Sequence, residues 1–200
     1  MDKGVIISGT GSYLPERVMT NHDLEEMVDT SDEWITTRSG IQERRIAAPE
    51  EATSDLAYGA AKRALEAADK NADDVDLIIV ATLFPDCPFP NTGCFLQRKI
   101  GAKHAACFSL EAACSGFLYA LEVGASLVKG GPYKTALVVG AEKMSAVLDW
   151  TDRSTCVLFG DGAGAVVIEE TAPENNCYLG ATLGADGNYT DLLYVPAGGS

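Results

Sequence analysis

The sequence has no Cys-x-x-Cys pair, only two histidines, and little positive charge: 15 lysines and arginines stand against 29 aspartates and glutamates, a formal charge of −14. Each shortage excludes something. Six cysteines (Cys87, Cys94, Cys107, Cys114, Cys156 and Cys177) spread over 200 residues give neither a disulfide framework nor zinc-ligand spacing. They are expected to be reduced thiols that mostly pack, with no metal site. The acidic balance argues against a nucleic-acid partner, which needs a basic face, and against docking on an anionic membrane. No apolar run approaches the ~20 residues of a membrane span. The opening Met1-Asp2-Lys3-Gly4 lacks the apolar core of a signal peptide. The expectation is a cytoplasmic protein. Tandem repeats, low-complexity stretches and linkers are also missing, so residues 1–200 read as one unit with no internal domain boundary.

What is present centres on Leu110-Glu111-Ala112-Ala113-Cys114-Ser115-Gly116-Phe117. The preceding Ala105-Ala106-Cys107-Phe108-Ser109-Leu110 is short, apolar and uncharged, and predicts a buried strand. From Ser115 to Lys129 only Glu122 and Lys129 are charged, which predicts a helix buried on all sides. Cys114 then sits at the N-terminus of that helix, where unpaired N–H groups and the macrodipole favour an anion. The small neighbours leave room beside the sulfur for a bulky acyl group. Cys114 is the candidate nucleophile, although most free cysteines only pack.

The rest of the chain alternates helices with buried strands. Gly4–Thr10 predicts a short strand ended by the turn-rich Gly9-Thr10-Gly11-Ser12-Tyr13-Leu14-Pro15. Thr20-Asn21 caps a helix through Val28, and Thr30-Ser31-Asp32-Glu33-Trp34 caps another that ends near Gly40. Gln42–Pro49, with Arg44-Arg45, reads as a loop. An amphipathic helix starts at Thr53 or Ser54, with Ala57, Ala60, Ala61, Ala64 and Ala68 on its apolar stripe. Leu77–Thr82 is an unalternating apolar run typical of a central parallel strand. A Pro-rich loop and a helix over Asn91–Ile100 follow. After the Cys114 helix, Thr135–Gly140 is a strand, Met144–Thr155 a loop, and Gly162–Glu169 and Tyr178–Ala185 two further strands. This is an α/β pattern with a mixed sheet, because its last strands follow one another without a helix.

Two glycine-rich strings suggest a dinucleotide loop and fail on context. After Gly9 and Gly11, Pro15 blocks an immediate helix; after Gly160-Asp161-Gly162-Ala163-Gly164-Ala165 a strand follows, where a pyrophosphate needs a helix N-terminus. A nicotinamide oxidoreductase would rest on these strings alone, and the second is read instead as a glycine turn allowing close packing.

Taken together, Gly9-Thr10-Gly11-Ser12-Tyr13-Leu14-Pro15, Thr30-Ser31-Asp32-Glu33-Trp34-Ile35, Arg38-Ser39-Gly40-Ile41, Ala112-Ala113-Cys114-Ser115-Gly116-Phe117, Thr151-Asp152-Arg153 and Phe159-Gly160-Asp161-Gly162-Ala163-Gly164-Ala165 resemble the β-ketoacyl-acyl carrier protein synthase III family almost end to end. The resemblance implies a thiolase-like fold: one α-β-α half with a mixed five-stranded sheet and a buried nucleophile-bearing helix. It implies that Cys114 takes an acyl group from acyl-CoA, the coenzyme A thioester being substrate and not a resident cofactor. Trp34 and Arg153 match residues that sandwich the adenine of coenzyme A, as a flat indole and a planar guanidinium can. Thr30 and Arg38 match residues at the nucleotide end, and Phe89 matches a loop residue that closes the acyl pocket of a partner in a homodimer. Trp150 stands where proline is expected, which leaves substrate choice open.

In that family the acyl-cysteine accepts an enolate formed from malonyl-acyl carrier protein by loss of carbon dioxide. The resemblance implies a histidine, an asparagine and an oxyanion-hole glycine in a second half of a longer chain, and this sequence ends at Ser200 before them. It is therefore expected to be the N-terminal half of a condensing enzyme, with apolar surface exposed. His22 and His104 lie outside the family's motifs and are expected at the surface. Same-fold alternatives are hydroxymethylglutaryl-CoA, alkene, quinolone or polyketide-starter synthases; a different class is a non-catalytic half-domain acting in dimerisation.

Overall fold

The computed structural model of the chain describes residues 3–196. The Met1-Asp2 and Ala197-to-Ser200 ends noted above lie outside them. The centre of the molecule is β4 (Leu77–Ala81), in which all five residues are buried. Ile78 and Val80 point to one side, into a core with Ala57, Ala60, Ala61 and Ala64. Leu77, Ile79 and Ala81 point to the other, against Ala120, Ala125 and Val128. A strand covered on both faces has no use for alternating polarity, which accounts for its uninterrupted apolar run.

Around β4 the sheet runs in the order β1-β7-β6-β4-β5. It is made of β1 (Gly4–Tyr13), β5 (Ala106–Leu110), β6 (Thr135–Lys143) and β7 (Asp161–Thr171) beside the central strand. β4 pairs in parallel with β5 and with β6, whereas β7 runs antiparallel to both β6 and β1. The mixed five-stranded sheet is therefore as expected. Helices α3 (Thr53–Ala67) and α4 (Thr92–Ile100) cover one face and α5 (Gly116–Gly130) the other. A smaller unit lies to one side: β2 (Arg17–Thr20) pairs with β3 (Glu43–Ile46), flanked by α1 (Asn21–Glu25), α2 (Asp32–Ser39) and α6 (Arg153–Cys156). Its core is Met19, Leu24, Ile35, Ile46, Cys156 and Val157. Side-chain caps start several helices, with Thr20 bonding Asp23, Ser31 bonding Trp34 and Asn91 bonding Cys94. Gly40 ends α2 at φ 75°, a conformation that disfavours other residues.

Several expectations need correcting. Gln42–Pro49 is not a loop throughout, because β3 runs from Glu43 to Ile46. The charge of Arg44 misled: its guanidinium is buried, donating to Met19 O, Asn21 Oδ1 and Val157 O. β1 continues to Tyr13 where a turn was expected, and α1 stops at Glu25, short of Val28. Gly9 and Gly11 lie inside β1, where a side chain would collide with Ala64 and Ala60 of α3, so these glycines let helix and strand pack closely. Tyr178–Ala185 forms no strand. Cys177 N and Tyr178 N share the single acceptor Val5 O (2.9 and 3.2 Å), and the chain then leaves the edge of β1.

β5 is an edge strand, exposed or half-buried along its length. Nor is α5 buried all round: Gly116, Ala120, Gly124 and Val128 face the sheet, while Leu118 is 60% exposed on the outer side. Hydrophobicity along a helix tells what can be buried; here, among the described residues, the segment after β7 touches α5 through Tyr178 on Glu122 and Tyr119 on Gly184 O, and leaves Leu118 open. No helix among them is long and apolar enough to cross a membrane, and no cluster of three or more potential metal ligands occurs.

Candidate active site

Three parallel strands end together at the hollow that Cys114 lines. In open α/β sheets this is where ligands bind, outside the carboxyl ends of the strands. The hollow, about 280 Å³, is bounded by Ala81 at the end of β4 and Thr82 after it, Ala113 and Cys114 after β5, and Gly140 to Glu142 of β6, with Gly162 and Gly164 of β7 opposite. Small residues make the space: above Gly164 a side chain would meet nothing within 4 Å. The floor is Phe117, packed so closely on Gly140 that a methyl group there would touch its ring at 3.4 Å.

Two features place the sulfur. α5 lies flat on the sheet through its small-residue face; a Cβ on Gly124 would already come within 3.0 Å of Val138 and 3.1 Å of Ile168. This fixes the amino end of α5 over the carboxyl end of β4. Between β5 and α5 the chain then makes a tight turn through Ala113–Ser115, with Ala113 at φ 46°. A left-handed alanine costs roughly 1–2 kcal/mol. Ala113 N donates to Glu111 Oε1 at 2.9 Å, which holds the turn. The result is that Cys114 is exposed, at the head of a 15-residue helix. It also lines a second space of about 350 Å³ that runs past Met144, Leu148 and Phe159 to Asp152 and Thr155. The sulfur is thus reached from two sides.

Glu142, in the wall beside Cys114, escaped the sequence reading. Its Oε1 accepts from Leu83 N (2.7 Å), from Phe84 N (3.4 Å) and from the Thr82 hydroxyl. Its Oε2 is buried with no partner among the described residues. Burial pushes its carboxyl above the ordinary carboxylate range, and the three donors only partly offset this. Asp161, inside the glycine-rich string, has a role that its sequence context does not signal. It is buried, and its carboxylate accepts from Ala47 N (2.7 Å), Ser145 N (2.8 Å) and Ser145 Oγ (2.5 Å), joining the start of β7 to the chain after β3 and after β6. Neither role could be seen without contacts between distant parts of the chain, 58 to 60 positions apart for Glu142 and 114 for Asp161 with Ala47.

The residues matched to the nucleotide end gather at one corner of the smaller unit. The guanidinium of Arg38 lies 4.5 Å from the Trp34 ring centroid and that of Arg153 lies 4.7 Å from it. Arg153 Nη1 also donates to Asp29 O at 2.7 Å. Next to them, Thr30 Oγ1 is buried with no hydrogen-bond partner among the described residues. A flat ring between Trp34 and Arg153 needs two van der Waals contacts, about 7 Å in all, so the slot is closed by direct stacking of the pair. Phe89 stands apart, 85% exposed. His22 and His104 are exposed and line neither space at Cys114.

A mixed sheet layered between helices, with a cysteine at the head of a helix that starts at the carboxyl ends of its parallel strands and runs back along the sheet, is a thiolase-like α/β fold. A family model described as 3-oxoacyl-[acyl-carrier-protein (ACP)] synthase III matches residues 108–187. The chain is 57% identical over 194 residues to a β-ketoacyl-[acyl-carrier-protein] synthase III of Caldanaerobacter subterraneus, which covers 97% of this chain and 58% of the relative. It superposes on a crystal structure of β-ketoacyl-[acyl carrier protein] synthase III from Thermus thermophilus with a TM-score of 0.89 at 47% identity, covering 94% of this chain and 58% of that one. The corresponding Pseudomonas aeruginosa structure gives a TM-score of 0.91 at 41% identity, over 97% of this chain and 59% of that one. The chain is similar to β-ketoacyl-acyl carrier protein synthase III enzymes over nearly its whole length and spans somewhat over half of theirs.

Proposed function

We infer that this chain carries the acyl-accepting part of a condensing enzyme that initiates fatty-acid synthesis. The observation that supports this most is the position of Cys114: exposed, on a strained turn, at the meeting point of two spaces and at the head of α5. The Cys114 thiolate attacks the carbonyl carbon of an acyl-CoA thioester. The carbonyl oxygen takes up the negative charge, then the C–S bond to coenzyme A breaks and its thiolate leaves, with the acyl group on Cys114. The small-residue hollow takes the acyl chain, while the second space leads the pantetheine arm toward Asp152.

The corner of Thr30, Trp34, Arg38 and Arg153 receives the nucleotide end, Arg153 swinging off the indole to admit the base. Thr30 Oγ1, without a partner, offers one hydrogen bond there. Condensation with malonyl-acyl carrier protein completes the reaction in a full-length enzyme, with donors to the enolate that the resemblance places in a second half. A homodimer in the cytoplasm suits the exposed edge strand β5 and the unsupported Phe89 ring, which would close the pocket of a second copy.

The test is mass spectrometry after incubation with acetyl-CoA. One acetyl group should appear, mapped to Cys114, and Cys114→Ala should abolish it. An adduct spread over several cysteines, or none on Cys114, overturns the reading.

A further inference from the structure

The start of α4 is seated on the edge strand β5 at three neighbouring points. Gly93 lies so close that a Cβ would come within 3.1 Å of Phe108 O. Gly93 N reaches Ser109 Oγ at 3.4 Å, and Ser109 Oγ approaches the capping Asn91 Oδ1 at 3.5 Å. This close seating brings two thiols together: Cys94 Sγ and Cys107 Sγ are 3.4 Å apart. Both residues are half-buried in the single chain, beside the β5 edge that a second copy would cover, so the exchange described next is one of the undimerised chain. They belong to segments that matter to the site, Cys94 following the Phe89 loop and Cys107 lying in the strand that leads to Cys114.

We propose that Cys94 and Cys107 form a reversible disulfide by exchange with a small-molecule disulfide of the glutathione type, clasping the first turn of α4 to β5. A protein disulfide is ~2.05 Å long, so the two sulfurs need approach by little more than an ångström. The step balances without any further reagent. The Cys94 thiolate, its proton released to solvent, attacks one sulfur of glutathione disulfide, breaking the S–S bond and releasing one glutathione thiolate. Cys107 loses its proton and attacks the Cys94 sulfur of the mixed disulfide, releasing the second glutathione. Two protein thiols are oxidised, and one small disulfide is reduced to two thiols. Burial and the neighbouring Cys94 push the Cys107 thiol up to about 11, so Cys107 is the slower partner and closes the bond second.

The experiment incubates the chain with oxidised glutathione, quenches it with acid, and reads intact mass and a fragmentation-resolved peptide map. The expected product is a chain of monomer mass lacking two hydrogens, with Cys94 linked to Cys107. In Cys107→Ser the first step should be trapped, leaving one glutathione on Cys94; in Cys94→Ser, Cys107 should stay reduced. The wild-type map needs no variant to fold. Glutathione adducts confined to Cys114 and Cys177, with Cys94 and Cys107 both reduced, or linkage only between chains, overturn the proposal.

Discussion

Asp161→Asn should destabilise the chain by about 2–4 kcal/mol, because no orientation of the amide satisfies its neighbours. Asp161 Oδ1 accepts from Ser145 N, and Oδ2 accepts from Ala47 N and Ser145 Oγ. If the amide nitrogen takes the Oδ2 position, the Ser145 hydroxyl can turn to accept, but Ala47 N–H then faces another donor. In the flipped amide it is Ser145 N–H that faces a donor. Either way one backbone N–H loses its partner, at roughly 1–3 kcal/mol, and the remaining bonds fall from charge-assisted to neutral, at about 1 kcal/mol more. In a chain of this size that corresponds to a fall in Tm of about 4–15 °C. Urea titrations followed by far-ultraviolet circular dichroism would give the free energy, and thermal melts the shift. Ser145→Ala, which removes only the hydroxyl donor, should cost about 1 kcal/mol. An asparagine variant within about 0.5 kcal/mol of the parent would refute the reasoning, since such a value is ordinary for a surface substitution.

Arg153→Ala removes one face of the stack and also the side chain that closes the slot in the free protein. Calorimetry should show coenzyme A binding about 3–30-fold weaker, while stopped-flow association becomes faster; unchanged affinity and rate would count against the assignment. Glu142→Gln tests the buried carboxyl. Because its pKa is raised, the folded chain keeps this proton above the ordinary carboxylate range, where the unfolded chain has lost it. Stability from this group therefore falls as pH rises through that window and is unaffected below it. Glutamine keeps one oxygen for the three donors and cannot ionise, so urea midpoints of variant and parent should converge in acid and favour the variant at neutral pH. A gap that stays constant with pH would contradict this.

What could be read from the sequence was local. The run Leu77–Ala81 announced a strand covered on both faces, and Thr20, Ser31, Asn91 and Gly40 marked helix ends because capping needs only neighbours in the chain. Cys114 stood out for the same reason, since the strand before it and the helix after it are contiguous. The failures lie where charge or apolarity is redefined from afar. Arg44 looked like a loop residue because one of its carbonyl partners, on Val157, is 113 positions away. Glu142 meets Thr82 across 60 positions, and Asp161 meets Ala47 across 114. The contact of Cys94 with Cys107 crosses only 13 positions, but it depends on how α4 turns back onto β5. α5 was misjudged in the opposite sense, its composition predicting a cover that the described residues supply only in part.

That uncovered side of α5 gives the molecule the habits of a charged colloid. Leu118, with Ile7 of β1 51% exposed, presents oily surface to water, and −14 of formal charge keeps like molecules apart. At low ionic strength the repulsion reaches tens of ångströms; at 0.1 M salt it fades within ~10 Å, about the thickness of one helix. Salting the solution therefore withdraws the barrier before it touches the attraction, and self-association should set in with added electrolyte rather than with dilution of it.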